Sequence, residues 1–220
     1  MRKLWVFLLL YLFMAYPVLA QDINRRQALM GAVNLHTRLN DYWSFNNKWE
    51  HRAFYSPLQS DRQDVELFVS RSISLSQLLG GGVMLRYEIQ DRQWVYRFIQ
   101  QWVYKGKLFA WQYTHRWRLD QTISAGETTR WRLRYRWAMQ RSLSGRRLDT
   151  GELYAKTAAE ILGLYRNKPE GVEYRFVAVL GFLNTRQYKF ELGLDWRHRN
   201  TFAAGRQEII AFTAAAYIVL

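Results

Sequence analysis

The chain has 220 residues, no Cys, ten Trp and a formal net charge of +14 at pH 7. That length accommodates one domain, and the missing thiols exclude a disulfide framework and thiolate metal or redox chemistry. Basic charge beside many Trp and Tyr would suit nucleic acid, but the first twenty residues point to export, so no nucleic-acid partner is expected.

Those residues read as a signal peptide. Arg2 and Lys3 form a positive n-region, Leu4 to Tyr16 is an apolar run, and Pro17 precedes Val18-Leu19-Ala20, a cleavage site with Ala at its end. Such a signal directs the chain to the Sec pathway, and cleavage after Ala20 leaves residues 21–220 as one mature domain. No Cys follows the site, so lipid anchoring is excluded. The longest later apolar run, Ile209 to Leu220, is short of the ~20 residues of a helical span but long enough for one transmembrane strand. A membrane protein without helices must be a closed barrel, because lipid satisfies no exposed backbone group.

The mature sequence alternates with period two. Trp43, Phe45, Trp49 and Ala53 alternate with Tyr42, Ser44, Lys48, Glu50 and Arg52. Trp111, Tyr113, Trp117 and Leu119 alternate with Thr114, Arg116, Arg118 and Asp120. The clearest segment puts Arg130, Arg132, Arg134 and Arg136 on one face and Trp131, Leu133, Tyr135, Trp137 and Met139 on the other. Tyr188, Phe190, Leu192, Leu194 and Trp196 then alternate with Lys189, Glu191, Gly193, Asp195 and Arg197. A helix would scatter these sets around its circumference, whereas a strand separates them completely.

Strands are predicted over 28–39, 42–55, 64–76, 82–90, 94–105, 107–121, 129–141, 152–163, 172–183, 187–198 and 207–220. Turns are predicted at Asn40-Asp41, Gln90 to Arg92, Lys105 to Lys107, Asn167 to Gly171, with Pro169 between strands, and Asn184 to Arg186. Gly80-Gly81-Gly82 lacks the Lys-Ser/Thr of a phosphate loop and reads as a tight turn. The fold expected is an all-β, antiparallel up-and-down transmembrane barrel of about 10–12 strands. Since single-chain bacterial barrels have an even number, eleven segments point to ten or twelve. Trp and Tyr would form girdles at the two membrane–water interfaces.

Several segments resemble a known family. Glu50-His51-Arg52-Ala53-Phe54 is an E-x-R strand, and His115-Arg116-Trp117-Arg118-Leu119-Asp120-Gln121 is similar to an H-R-x-R-x-E/D-Q strand. Arg130 to Tyr135, Glu160, and Tyr174-Arg175-Phe176 through Gly181 resemble the elements that follow. Together they are similar to DUF2490, a group of uncharacterised bacterial membrane β-barrels, over roughly residues 28–198. Asp120 stands where Glu is more usual, and the chain ends on Leu220 rather than an aromatic, with Phe212 and Tyr217 nearby. The resemblance implies the Gram-negative outer membrane, with its lipid and the barrel assembly machinery as partners, and carries no activity.

No catalytic motif, cofactor motif or metal-ligand spacing is present. The four His, at 36, 51, 115 and 198, are scattered, although a lipase- or acyltransferase-type barrel could still assemble a triad in space. With the apolar face against lipid, the inward set is Glu50, Arg52, Arg86, Glu88, Arg116, Arg118, Asp120, Arg130, Arg132, Arg134, Arg136, Glu160, Arg175, Glu191, Asp195 and Arg197, together with Lys48, Arg97 and Lys189. Basic residues outnumber acidic ones there. Two readings follow: a narrow channel or binder for small anionic solutes, or a structural barrel plugged by ion pairs. A soluble periplasmic lipid-binding barrel would invert the faces, with the aromatics inside and the arginines in water.

Overall fold

In the computed structural model, which describes residues 24–124, 126–145, 147–199 and 206–220, every predicted strand segment becomes a strand. They are β1 (Asn24–Arg38), β2 (Trp43–Phe54), β3 (Gln59–Ser72), β4 (Gln77–Glu88), β5 (Gln93–Leu108), β6 (Trp111–Ser124), β7 (Arg130–Ser142), β8 (Glu152–Arg166), β9 (Lys168–Leu183), β10 (Tyr188–Arg199) and β11 (Gln207–Val219). Residues 1–20, read as a signal peptide, lie outside the described residues.

The strands close into a barrel in which every sequential pair is antiparallel. The expectations of an even strand number and of a wholly antiparallel sheet are both corrected. Among the described residues there are eleven strands, and β1 meets β11 in parallel, from Asn24↔Gln207 to His36↔Val219. The two departures have one cause. An up-and-down chain reverses direction at each turn, so after an odd number of strands the last runs the same way as the first. β1 therefore begins at one rim, here the first rim, and β11 ends at the opposite, second rim. Ala28 pairs with Ala211 across this seam, and Ala28, Met30, Ile209 and Ala211 form a buried apolar cluster behind it.

Three turn predictions fail for local reasons. Gly80-Gly81-Gly82 lies inside β4, where the ring of Phe68 on β3 covers it. A Cβ on Gly82 would sit 2.4 Å from the Leu67 carbonyl oxygen and 2.5 Å from the Phe68 ring, so these glycines permit a close approach rather than a turn. Gly106 likewise lies within β5 under the Tyr113 ring, and the chain turns only after Leu108. Pro169 belongs to β9 rather than to a connection. It opposes Tyr165 where the β8–β9 register shifts, at an irregularity that tolerates a missing N–H, and Asn167 alone makes the turn with φ 57°.

Gly82→Ala is expected to reduce unfolding stability by about 1–3 kcal/mol, the usual effect of overpacking. An unchanged urea midpoint would show that Phe68 and the β3 backbone yield freely.

Candidate functional site: the charged lumen

The pleat decides which side chains meet inside. Along β7, Trp131, Leu133 and Trp137 are exposed on the outer wall, while Arg132, Arg134 and Arg136 line an internal cavity. The other strands agree: Trp49, Trp117, Leu192 and Leu194 face out, whereas Arg52, Arg118, Glu191 and Asp195 are buried inside. The inverted arrangement, with an aromatic core and arginines in solvent, is thereby overturned.

The inward charges are organised around a few carboxylates. Asp120 is fully buried and accepts from Arg118 Nε at 2.7 Å, Arg132 Nη2 at 2.9 Å and Arg134 Nη2 at 3.2 Å. Arg118 also reaches across the lumen to Glu66 of β3, with contacts of 2.8 and 3.3 Å. Glu160 takes Arg134 and Arg116 at 3.3 Å each and Arg175 at 3.8 Å. Asp195, 1% exposed, is clasped by Arg175 from β9 and by Arg197, two residues along its own strand, at 2.7 Å. Such bidentate guanidinium–carboxylate pairs are the strong, orienting kind.

Two further knots lie toward the rims. Near the first rim, Arg52 donates to Asp61 at 2.6 Å and Arg86 clasps Asp64 with two contacts of 2.7 Å, while Glu88 stands 3.9 Å from Arg86 and Arg130 pairs with Glu170. Near the second rim, Glu191 accepts from Lys156 at 2.6 Å, Tyr154 at 2.6 Å and Tyr217 at 3.0 Å, with Lys189 at 3.6 Å. Gly181 makes this knot possible, since a Cβ there would lie 2.1 Å from the fully buried Tyr154 ring. Glu50 holds Lys48 at 2.5 Å. Arg136 lines the lumen with no ion pair among the described residues.

Sequence reasoning missed Asp61, Arg62, Asp64, Glu66, Lys156, Glu173 and Arg199. For Asp64 and Glu66 the signal was present, because they alternate with Val65, Leu67 and Val69. Arg62 falls in a stretch read as a connection, and Arg199 lies one residue past the predicted end of β10.

The charged side chains leave two cavities, of about 460 and 520 Å³. Elsewhere, His115 shares a hydrogen bond with Tyr135 at 2.7 Å, and His51 lies 3.5 Å from Ser60 Oγ. No carboxylate contacts His51 among the described residues, and none of them form a cluster of three His, Asp or Glu able to hold a metal.

The family model described as "Protein of unknown function (DUF2490)" matches residues 29–208. No curated protein and no solved structure matches the chain.

Proposed function

The chain belongs to the DUF2490 family of proteins of unknown function, and from the barrel itself we propose that it sits in the outer membrane and offers small anions a narrow, arginine-lined path. The observation that carries this reading is the distribution of faces: large apolar side chains outside, charges inside. Leu192 is 66% exposed, Trp49 49% and Leu133 56%. Soluble monomers rarely present contiguous apolar surface on this scale, whereas lipid covers it without penalty. The strands run for 12 to 16 residues, beyond the ~9–11 that a tilted membrane strand requires. Export by a signal peptide and insertion by the barrel assembly machinery belong to the same reading.

The anion preference follows from the excess of Arg over Asp and Glu along the inner wall. Guanidinium remains charged whatever its burial and suits carboxylate or phosphate geometry. Rings of Arg and Lys in a narrow pore favour anions over cations. Against this stands the structural reading, in which the ion pairs only plug the lumen. It draws on the cross-lumen Arg118–Glu66 bridge, which ties β6 to β3.

Two measurements separate these readings. The full chain recovered from membranes should migrate differently in SDS before and after boiling, as a closed barrel does. Recovery in a soluble periplasmic fraction without a mobility shift would remove the membrane placement. In planar bilayers, a salt gradient should give a reversal potential on the anion side, and a protein that inserts without conducting would leave the plugged structural barrel.

A further inference from the structure

The two lumen cavities share six lining residues: Arg62 of β3, Arg86 of β4, Arg97 of β5, Arg132 of β7, Glu173 of β9 and Arg199 of β10. They form a waist between the two cavities, drawn from six of the eleven strands. Five of the six are arginines, which bury between the two cavities the charge most in need of a partner.

Their carboxylates do not suffice. Arg86 is matched by the two oxygens of Asp64, and Arg199 lies 3.1 Å from Glu173. Arg97 is 5% exposed and has no carboxylate partner among the described residues. Its contacts are to the Thr122 hydroxyl at 3.1 Å and the Met84 sulfur at 3.2 Å, neither of which carries charge. Among the described residues, Arg62 meets only the distant oxygens of Asp64 at 3.5 Å and Glu50 at 4.0 Å, and both carboxylates have a nearer cation. Arg132 shares Asp120 with Arg118 and Arg134. Among the described residues, the Nε atoms of Arg62 and Arg132 are buried with no hydrogen-bond acceptor.

A ligand for this waist must supply two things at once. It must carry about two negative charges, to balance Arg62 and Arg97, and it must accept hydrogen bonds from several directions, because the donors come from β3, β5 and β7 around the wall. Chloride has one charge, and a carboxylate is planar with two oxygens. A tetrahedral dianion offers four oxygens and the matching charge, and guanidinium forks fit such oxygens in pairs.

We propose that the waist formed by Arg62, Arg97 and Arg132 is a binding site for a tetrahedral oxyanion of the phosphate class, seated between the two lumen cavities. This rests on the proposed function only in taking the lumen to be open to anions from solution. Occupancy would complete the charge balance that the wall leaves open, and it would place a selective step on the anion path rather than a uniformly positive lining.

The experiment is a calorimetric titration of the detergent-solubilised full chain with inorganic phosphate at constant ionic strength, with chloride as the comparison ion. Phosphate should bind and chloride should not. Arg97→Gln should weaken phosphate binding about tenfold or more, the value of one charge-assisted hydrogen bond, while Arg97→Lys retains part of it and Arg25→Gln, at an exposed rim position, changes nothing. Unboiled mobility in SDS checks that each variant has closed. If Arg97→Gln does not close, Arg62→Gln serves in its place with the same expected loss. Phosphate binding no tighter than chloride, or unaltered in a closed Arg97 or Arg62 variant, overturns the site. Anion-selective conductance without phosphate binding would overturn the site alone. Phosphate binding without conductance would uphold the site and remove the channel.

Discussion

Asp120→Asn is expected to lower the unfolding stability of the barrel by about 3–5 kcal/mol, the penalty for stripping the partner from a buried charge cluster. Asp120 is fully buried and is the shared acceptor for Arg118, Arg132 and Arg134. Asparagine keeps one acceptor oxygen but removes the negative charge, leaving three guanidiniums from β6 and β7 together. Arg118 retains Glu66 and Arg134 retains Glu160, so Arg132 bears most of the loss. That asymmetry gives the experiment its internal control. Combining Asp120→Asn with Arg132→Met should recover a large part of the lost stability, because removing both partners of a buried pair is far less damaging than removing one. Urea unfolding followed by Trp fluorescence reads both variants. A single variant as stable as the parent would mean that water or Glu66 takes over the role of Asp120, and the ion-pair network would then contribute little to holding the wall.

Face assignment was the legible part of this protein. The run from Arg130 to Met139 leaves no choice, since only a strand puts four arginines on one side and the apolar residues on the other. The two faces follow from that rule without knowledge of which strands touch, but not which of them turns inward, since an inverted barrel has the same period. Partnership is a different matter. Arg118 and Glu66 are 52 residues apart in sequence and meet only because the sheet closes on itself, and period two says nothing about depth along the lumen or about the opposite wall. Strand ends were equally hidden. Alternation fades toward the strand ends, so Arg62, near the start of β3, and Arg199, the last residue of β10, fell outside the predicted strands. Glycine misled for a clear reason: Gly80 to Gly82 has turn composition, and its actual role, making room for the Phe68 ring, depends on a side chain in the neighbouring strand. The odd strand count was written in the eleven segments themselves. What hid it was the expectation that a barrel must close antiparallel.

The seam between β1 and β11 bears on the second large effect. No turn joins these strands, so their approach depends on backbone pairing and on the inward contacts that hold β11 in place. Glu191 on β10 gathers Tyr217 of β11 and both Tyr154 and Lys156 of β8, fastening three strands near the second rim. Glu191→Leu should therefore act twice. The buried Tyr154 hydroxyl and the Lys156 ammonium lose their acceptor, a loss of about 3–5 kcal/mol on the scale for uncompensated buried charge. Lys156 and Lys189 would also be released into the lumen, adding free cations beside the anion path and raising anion conductance if that path is open. Tyr217→Phe separates the two effects. It removes one hydrogen bond, worth about 1 kcal/mol, while the Glu191–Lys156 pair stays intact, so stability should fall slightly and conductance should not change. A Glu191→Leu barrel of parental stability would show that the knot does not fasten the seam. Equal conductance in a destabilised variant would place the resistance of the path elsewhere, with the arginine waist the next place to test.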